Sequence, residues 1–572
     1  MQTTNKIGIE HLAQICVENG VTQAVFSPGS RCAPLVLAFH RNSQIRCKVI
    51  VDERAAAFYA LGFALKTRKP VVLVCTSGTA VLNYAPAIAE AYYQQVPLLV
   101  CTADRPVEWI DQADMQTIRQ QNIFANYIQK SFQLPQNIIS DDDLWYNDRL
   151  ICEALHACTF PQAGPVHINI PMQEPLYGSS EKEHFAAPKN ISLCATQRQL
   201  LPEEQANLLS LWQTARRKLI VIGQHAPDKR LQEILSNLLE DQSVAVFTEH
   251  TSNFHHPRSV DTIDPLIDSI SAEDKQWFLP DILLTVGGMI VSKKIKSFFR
   301  QNHPHYHWTV NATGNHLDTF KALTHIIPME ASDFLAVLAR NTVIDTQANY
   351  QAAILARYTV QQRLQKSYLA SLSYSDFVVF EKIFEKLPAR MVLHFANSTP
   401  VRYANLFSLS PEKNFTCYAN RGVGGIDGCS STAVGIADAD PQALHVLITG
   451  DLAFFYDSNA LWNDAFPTNL RIILMNNSGG NIFQIIPGPE KLQPQELHQF
   501  FSASHQLEAK YLAKNFGIAY HCVSDASSLE EALTMVFGTS GEVQLLEIKT
   551  DGETSATYLR AYFNLIQNAA NI

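Results

Sequence analysis

The chain lacks the cysteine spacing of a metal or disulfide framework. Its 11 cysteines stand singly, with no Cys-x-x-Cys and no paired Cys/His spacing. Structural zinc sites and disulfide scaffolds are therefore disfavoured, and the cysteine usage favours a reducing cytoplasm.

An excess of positive charge and a long apolar run are also missing. The formal net charge is −10, which argues against nucleic acid or an anionic membrane as the main partner. The amino terminus has no apolar signal-peptide core. The uncharged stretch 70–89 is interrupted by Thr76-Ser-Gly-Thr79, Asn83 and Pro86. We therefore expect a strand, a turn and a helix start there rather than a membrane span.

What is present is an alternation of short apolar runs with helical patterns over 572 residues. At about 150 residues per domain, this length predicts three or four domains. The alternation predicts an α/β fold of three doubly wound parallel-sheet domains, at 1–180, 198–345 and 365–572. A polar linker is expected over 178–199, and a helix over 349–368. The strands that we predict are 23–26, 48–52, 71–75, 98–102, 166–170, 219–222, 244–247, 282–286, 307–310, 391–395, 417–419, 445–449, 471–475 and 544–548.

Two polar motifs follow neighbouring apolar runs in the last domain. Gly450-Asp451 follows one run, and Asn476-Asn477-Ser478-Gly479-Gly480 follows the next, with Asn477 lying 26 residues after Asp451. Ligands of open parallel sheets bind beyond the carboxyl ends of the strands. A carboxylate, an amide oxygen and a main-chain carbonyl near Gly479 are the oxygen ligands that Mg²⁺ prefers. The pair predicts a magnesium-diphosphate site.

Glu53 is the carboxylate hardest to explain by structure alone. It follows the apolar run 49–51 and Asp52, and it precedes an alanine-rich helix. One interpretation is a charge that favours the positive helix start. The other is a desolvated carboxylate that hydrogen-bonds a cofactor ring nitrogen and moves a proton.

Basic residues also cluster after predicted strands in this acidic chain. Each could be a solvated surface charge, but their shared position favours a pocket for carboxylates, which Arg binds with a bidentate fork. They are Arg31, Arg105, Arg402 and Arg421, with Lys293 and Lys294 after the strand at 282–286.

Other catalytic patterns are poorly met. The loop 422–428 is glycine-rich, but it lacks the nicotinamide fingerprint and could be a plain turn. Ser27-Pro-Gly-Ser30 does not have the Gly-x-Ser-x-Gly pattern of a hydrolase elbow. No histidine spacing suggests a metal site or a triad.

Together these motifs resemble thiamine diphosphate enzymes of the decarboxylase and synthase superfamily. More specifically, the chain is similar to the synthase family of menaquinone biosynthesis that acts on 2-oxoglutarate and isochorismate. That similarity covers essentially the whole chain. It rests on Ser-Pro-Gly-Ser-Arg at Ser27, Ala-Asp-Arg-Pro at Ala103, Asn-Arg-Gly-x-x-Gly-Ile-Asp-Gly at Asn420, and Asn-Asn-x-Gly-Gly-x-Ile-Phe at Asn476.

The resemblance implies the reaction, the cofactors and the assembly. It implies decarboxylation of 2-oxoglutarate and conjugate addition of the succinyl-semialdehyde carbanion to isochorismate, with thiamine diphosphate and Mg²⁺ or Mn²⁺. The three domains would be pyrimidine-binding, central and diphosphate-binding. A cytoplasmic homodimer or homotetramer with shared active sites is expected, without nucleic acid or membrane partners.

The resemblance also assigns roles to matching residues. Glu53 would promote the imino tautomer of the pyrimidine, and Ile426 would bend the cofactor. The cofactor-binding residues would be Glu53, Ile426, Gly450, Asp451, Asn477, Ile482 and Phe483. The metal ligands would be Asp451, Asn477 and the Gly479 carbonyl. Isochorismate would contact Ser30, Arg31, Arg105, Gln116, Lys293 and Lys294, and 2-oxoglutarate would contact Ser398, Arg402 and Arg421. The catalytic set would be Glu53, Arg31, Arg105, Arg402 and Arg421.

Four positions depart from the family pattern. Met115 stands where Asn is frequent, Lys294 replaces Arg, Cys32 replaces Ser, and Ser478 replaces a third Asn. Met115 can offer no amide, and Lys294 keeps the charge but loses the fork. Two other interpretations remain open: a related thiamine diphosphate enzyme, either an oxoacid decarboxylase or acetolactate-synthase-like, and a nucleotide-binding regulatory protein without catalysis.

Overall fold

Three six-stranded sheets organise the chain in a computed structural model that describes residues 2–463, 466–486, 488–538 and 541–569. Successive strands pair in parallel register and are connected by helices. The predicted α/β class with parallel sheets is confirmed. The outermost residues of the first and third predicted domains, 1 and 570–572, lie outside the described part.

The first sheet carries the strands that we predict between residues 23 and 170. In spatial order its strands are Arg46–Val49, Gln23–Phe26, Val71–Cys75, Leu98–Asp104, Val166–Pro171 and Ser131–Gln133. Its α-helices are Ile7–Glu18, Ala33–His40, Glu53–Thr67, Thr79–Asn83, Ala85–Gln94 and Asp141–Thr159.

The middle sheet shows why its strands are apolar throughout. Ile220 and Ile222 pack into one core cluster, whereas Leu219 and Val221 pack into another. Since successive side chains of a strand point to opposite faces, both faces of this sheet are buried. Its strands, in spatial order, are Ser259–Val260, Val244–Thr248, Lys218–Ile222, Ile282–Val286, Tyr306–Val310 and His325–Ile327. Its α-helices are Pro202–Thr214, Lys229–Leu238, Ile263–Asp268, Lys275–Phe278, Lys293–Gln301 and Ala331–Asn341, and the helix Tyr350–Leu369 follows.

The third sheet places the two motif-bearing strands side by side. In spatial order its strands are Thr416–Tyr418, Val392–Phe395, His445–Gly450, Leu470–Asn476, Gln544–Lys549 and Ala519–Val523. The α-helices in this part of the chain are Asp376–Lys386, Thr399–Ala404, Cys429–Ala439, Asp451–Tyr456, Ile482–Ile485, Pro494–Glu496, Lys510–Asn515, Ala526–Val536 and Gly552–Ala569.

The expected linker over 178–199 is partly wrong. Ser179–Glu181 pairs antiparallel with Gln2–Thr4 as a two-stranded sheet. The segment beyond it is also anchored, because Asp148 Oδ2 accepts a hydrogen bond of 2.9 Å from the Lys189 amide. Short polar strands carry little periodicity, which explains the error.

The described residues form two compact units, each assembled from separate stretches of chain. The first lies within Met1–Ala195, Asn420–Gln442 and Ala453–Leu470, and the second within Thr196–Ala419, Ala443–Leu452 and Arg471–Ile572. The three predicted domain ranges stay a prediction.

Two helices of the first unit pack at very short range. A Cβ added at Gly62 would collide with the Thr432 carbonyl oxygen, and one added at Gly435 would collide with the Tyr59 carbonyl oxygen. Glycine at both positions therefore lets the backbones of Glu53–Thr67 and Cys429–Ala439 approach. The Tyr59 hydroxyl donates to Asp438 between the same two helices, and Arg46 of the strand Arg46–Val49 pairs with Asp438 at 2.7 Å.

Within the described ranges, none of the helices has both the length and the apolar character that a membrane crossing requires.

Candidate active site

Asp451 lies at the carboxyl end of a central strand, as predicted. It follows the strand His445–Gly450, and its side chain is buried. Its Oδ2 accepts a hydrogen bond of 2.9 Å from the Gly479 amide, and its Oδ1 accepts one of 2.7 Å from the Leu452 amide. Burial raises the pKa of Asp451. The carboxylate thus joins the ends of two neighbouring strands.

Asn477 lies one residue beyond the strand Leu470–Asn476. Its Nδ2 donates to Asp376 Oδ2 over 3.0 Å, which leaves the amide oxygen as the atom available to a ligand. Gly479 has a φ of +151°, and a Cβ there would lie 2.6 Å from the Ser502 carbonyl oxygen. Only glycine fits this position without strain.

The donor set suits a hard divalent cation. Asp451, Asn477 and the Gly479 carbonyl offer only oxygen atoms, as Mg²⁺ and Mn²⁺ prefer. Within the described residues, no group of three or more His, Cys, Asp and Glu side chains is arranged for a metal. The candidate cation site at Asp451 uses an amide and a carbonyl beside a single carboxylate.

The segment after residue 500 lies against this loop. The Gly480 amide donates to the Ser502 carbonyl over 2.5 Å, and the His505 amide donates to the Ser478 carbonyl over 3.1 Å. His505 Nε2 lies 3.3 Å from Asp451 Oδ2. Ile482 and Phe483 begin the short helix Ile482–Ile485 and are half-buried, and the Phe483 ring lies 5.7 Å from that of Phe501.

Glu53 lies in the first unit, and the structure corrects its predicted setting. The strand ends at Val49 rather than at residue 52, and Glu53 is the first residue of the helix Glu53–Thr67. The Asp52 side chain caps this helix by accepting hydrogen bonds from the amides of Arg54 and Ala55. The stretch 49–52 therefore includes the turn into the helix, and Glu53 is half-buried in that first turn.

Arg421 and Ile426 lie on the glycine-rich loop of the first unit, and both are half-buried. The buried Glu90 carboxylate accepts hydrogen bonds from three successive amides of this loop, those of Gly422, Val423 and Gly424, at 2.6, 2.7 and 3.3 Å. Glu90 thus fixes the backbone between the two predicted ligand-binding side chains.

Arg31 and Arg105 line one cavity of about 620 Å³ in the first unit. Arg31 is 6% exposed, and its guanidinium lies 3.1 Å from Glu174. Burial, followed by the positive charge of Arg105, lowers the pKa of Arg31. Arg105 pairs with Asp114 at 3.3 Å. Three carboxylates, those of Glu108, Asp114 and Glu174, also line this cavity. A small anionic ligand would therefore have to replace Glu174 and Asp114 at the two arginines.

The neighbouring predicted residues are exposed. Ser30 precedes Arg31 in the turn before the helix Ala33–His40, and Gln116 has a φ of +57°. Arg105 donates to the Met115 carbonyl over 3.2 Å, while the Met115 side chain is 80% exposed. Because Arg105 uses a main-chain atom of residue 115, this contact does not require the Asn that the family pattern favours.

The remaining predicted residues lie in the second unit. Ser398 precedes the helix Thr399–Ala404 with a φ of +75°, a backbone conformation that is rare outside glycine. Arg402 is on that helix and half-buried.

Lys293 is exposed at the start of the helix Lys293–Gln301. Lys294 pairs with Asp268 and stacks over Phe563, with its Nζ 3.4 Å from the ring centroid. Gly450 ends its strand, where the nearest atom to an added Cβ would be 3.8 Å away on Pro400.

Sequence reasoning missed Asp376 and Glu90. Asp376 is 1% exposed, and burial raises its pKa to about 6. In the sequence, Ser375-Asp376 is typical of an ordinary helix start, and Glu90 is typical of a polar residue within a helix. Neither carries a sequence signal, because each meets its partner across a long separation in the chain.

Two family models match the chain in the regions that hold these residues. The thiamine pyrophosphate enzyme N-terminal TPP binding domain matches residues 7–123, and the corresponding C-terminal TPP binding domain matches residues 399–548. Thiamine pyrophosphate is thiamine diphosphate under another name. Together with the parallel α/β sheets, these matches define a thiamine diphosphate-dependent enzyme.

Comparison with curated relatives identifies the family within this class of enzymes. The 2-succinyl-5-enolpyruvyl-6-hydroxy-3-cyclohexene-1-carboxylate (SEPHCHC) synthase of Flavobacterium johnsoniae is 41% identical over 97% of this chain and 98% of its own. That of Flavobacterium psychrophilum is 41% identical over the same shares. That of Cytophaga hutchinsonii is 40% identical over 98% of this chain and 99% of its own. The chain belongs to the SEPHCHC synthase family.

Proposed function

We propose that this protein decarboxylates 2-oxoglutarate and adds the remaining four-carbon unit to isochorismate, in the menaquinone pathway. The observation that carries this proposal is the near full-length similarity to SEPHCHC synthases. Arginines at strand ends in both units are consistent with two carboxylate-bearing substrates.

The cofactor would be held by the edge of the third sheet. Asp451, Asn477 and the Gly479 carbonyl would bind Mg²⁺ or Mn²⁺, which would neutralise the negative charge of the diphosphate. Gly450, Ile482 and Phe483 would line the cofactor on this side, and Ile426 would press against it. Bound thiamine diphosphate supplies the electron sink for decarboxylation and carbon–carbon bond formation.

Glu53 would hold and move a proton at the pyrimidine ring. Its carboxylate has no hydrogen bond or ion pair among the described residues, so it can accept a ligand proton without breaking an internal contact. A carboxylate in that position contributes general acid–base catalysis.

The substrates would be distinguished by separate basic groups. Isochorismate would contact Arg31 and Arg105 in the cavity of the first unit, with Ser30, Gln116, Lys293 and Lys294 completing its site. The distal carboxylate of 2-oxoglutarate would contact Ser398, Arg402 and Arg421. Most other proton transfers would use the cofactor's own amine and bound water.

The predicted site residues are divided between the two units, and the resemblance favours a cytoplasmic homodimer or homotetramer with shared active sites. Size-exclusion chromatography with light scattering tests this part of the proposal. A monomer that retains full activity would contradict it.

A coupled assay tests the reaction itself. Carbon dioxide release is measured with 2-oxoglutarate, with and without isochorismate, and pyruvate replaces 2-oxoglutarate in a parallel reaction. A hydrogen bond to a charged partner contributes roughly 1.5 to 3 kcal/mol, so pyruvate should be about 10- to 150-fold poorer. Equal turnover of pyruvate, or no dependence of product on isochorismate, would contradict the proposal. Calorimetric titration with thiamine diphosphate and Mg²⁺ identifies a protein that binds cofactor without catalysis.

A further inference from the structure

Asp376 is a buried carboxylate that has no part in the reaction proposed above, and it contacts the predicted cation ligand Asn477. Asp376 begins the helix Asp376–Lys386 and is 1% exposed. Its Oδ2 accepts from Asn477 Nδ2 over 3.0 Å, and its Oδ1 accepts from the Thr550 hydroxyl over 2.5 Å. Its main-chain amide donates to the Ser555 hydroxyl over 3.0 Å. No cationic side chain pairs with it among the described residues.

This arrangement fixes which end of the Asn477 amide faces outward. An ionised carboxylate can only accept hydrogen bonds, so Asn477 must present its NH₂ group to Asp376. The amide oxygen is then directed away from Asp376. An amide turned the other way would place two N–H donors where a cation needs an oxygen ligand.

We propose that Asp376 is a positioning residue for a bound Mg²⁺ or Mn²⁺, which acts by holding the Asn477 amide with its oxygen turned to the cation. This inference rests on the proposed cation site of Asp451, Asn477 and Gly479. Partners behind the ligands of a metal site commonly fix ligand orientation in this way, and losing one typically costs 10- to 100-fold in affinity or activity.

The neighbours of Asp376 make the substitution Asp376→Asn informative. When Thr550 keeps donating its hydroxyl proton to the side chain at position 376, as it does to the carboxylate, the new amide directs its oxygen to Thr550 and its NH₂ group to Asn477. Asn477 would then have to present its own oxygen to position 376 and its NH₂ group to the cation. The change in shape is small, but the hydrogen-bond polarity is reversed.

A second substitution, at position 477, should restore the oxygen ligand for the cation. In the double variant Asp376→Asn/Asn477→Asp, the side chain at position 477 has two acceptor oxygens. One can accept from the new amide at position 376, and the other remains for the cation. Thr550→Val is the matched control, because it removes the hydrogen bond from Thr550 to Asp376 and keeps the carboxylate an acceptor towards Asn477.

The experiment is a calorimetric titration of Mg²⁺ into the full-length protein at saturating thiamine diphosphate, with thermal unfolding of each variant alongside. We expect D376N to weaken Mg²⁺ binding about 10- to 100-fold, and D376N/N477D to regain most of the affinity. T550V should lower the unfolding midpoint while its Mg²⁺ affinity stays near that of the wild type. The Mg²⁺ concentration for half-maximal activity should rise in D376N, with smaller loss at saturating Mg²⁺.

Two results would overturn the inference. One is Mg²⁺ binding by D376N at wild-type affinity. The other is a double variant D376N/N477D whose Mg²⁺ affinity is as low as that of N477A. This second result tests the inference even if D376N alone fails to fold. If the wild type itself binds no Mg²⁺ with thiamine diphosphate, the proposed cation site fails as well. N477A distinguishes these cases, because its loss of affinity verifies the site independently of Asp376.

Discussion

Glu53 occupies a helix start whose capping is already provided by its neighbour. Asp52 accepts the hydrogen bonds from the amides of Arg54 and Ala55, so the first turn does not need a second carboxylate for capping. A favourable charge at the helix start is therefore a weaker explanation for Glu53. A half-buried carboxylate without an internal partner among the described residues favours a role towards the cofactor.

The substitution Glu53→Gln tests that role. Glutamine keeps the size and can hydrogen-bond a ring nitrogen, but it cannot transfer a proton. We expect turnover to fall by about 10²- to 10⁴-fold, while thiamine diphosphate affinity changes far less. Steady-state rates and calorimetric titration measure the two effects. Asp52→Ala is the control, since it removes the cap and should lower thermal stability with a much smaller loss of turnover. Near-normal activity of E53Q would remove Glu53 from the mechanism.

Arg31 is expected to set the affinity for one substrate only. It is buried in its cavity and already pairs with Glu174, which a substrate carboxylate would replace. Arg31→Lys keeps the charge but loses the bidentate fork. The KM for isochorismate should rise about 10-fold or more, given roughly 1.5 kcal/mol per lost charged hydrogen bond. The KM for 2-oxoglutarate should stay constant.

Arg119→Lys provides the matched control for Arg31→Lys. Arg119 also pairs with a carboxylate, that of Asp111 at 2.7 Å, but it is not among the residues that line the cavity. Steady-state kinetics with each substrate varied in turn separate the two variants. Equal changes in both KM values of R31K would show that Arg31 supports the structure rather than isochorismate binding.

At the scale of elements, the helix pair of the first unit depends on two glycines. Glu53–Thr67 carries the proposed catalytic Glu53, and Cys429–Ala439 follows the loop with Arg421 and Ile426. Because each glycine faces a carbonyl oxygen of the other helix, the spacing of these helices is set by backbone contact.

Gly62→Ala should therefore destabilise the protein, although alanine has the higher helix propensity. The added methyl group overlaps the Thr432 carbonyl oxygen, and relief requires the helices to separate. Overpacking of this kind costs typically about 1 to 3 kcal/mol. Thermal unfolding measures the effect, with Gly541→Ala as the control because a Cβ there meets no atom within 4 Å. A G62A midpoint equal to that of G541A would contradict the prediction.

The interior strands of the three sheets were all predicted from the sequence, whereas four of the six edge strands were not. Val71–Cys75 and Ile282–Val286 are buried runs, and their predicted bounds match the structure. Ser131–Gln133, Ser259–Val260 and His325–Ile327 lie at or near sheet edges, where short or partly exposed strands carry polar residues. Such strands are formed by pairing with a neighbour, which a local pattern does not contain.

The same distinction applies to the site. The motifs at Asp451 and Asn477 could be located because the strand ends and glycines are local features. Asp376 and Glu90 could not, since their roles arise from contacts with Asn477 and with the amides of residues 422–424. Long-range hydrogen bonds of single polar side chains leave no mark in the surrounding sequence.

At the scale of the whole molecule, each unit contains a fully buried carboxylate that is costly to ionise. Burial raises the pKa of Asp457 in the first unit and of Glu249 in the second to about 7. Glu249 accepts hydrogen bonds of 2.6 Å from the amides of Val291 and Ser292, just before the helix that carries Lys293 and Lys294. These bonds offset only part of the desolvation cost.

These pKa values predict a decline of stability with pH. Between the ordinary value of 4.5 and about 7, native Glu249 holds a proton that the unfolded chain releases. The free energy of unfolding therefore falls as pH rises through this window, by at most about 1.4 kcal/mol per pH unit for each such group. Glu249→Gln, neutral at every pH, should flatten the decline. Unfolding midpoints from pH 5 to 8 measure it, with the exposed Glu273→Gln as the control. An unchanged slope in E249Q would contradict the assignment.

The discontinuous first unit has a consequence for the order in which the chain can fold on the ribosome. Residues up to 195 emerge first, but this unit also needs Asn420–Gln442 and Ala453–Leu470. At about 5 to 20 residues per second, roughly 11 to 45 s of synthesis separate residue 195 from residue 420. Throughout that interval the small-residue face of Glu53–Thr67 lacks its partner helix. This protein therefore most needs a chaperone during that interval of its synthesis, and fragments that end near residue 195 should be recovered mainly as aggregates.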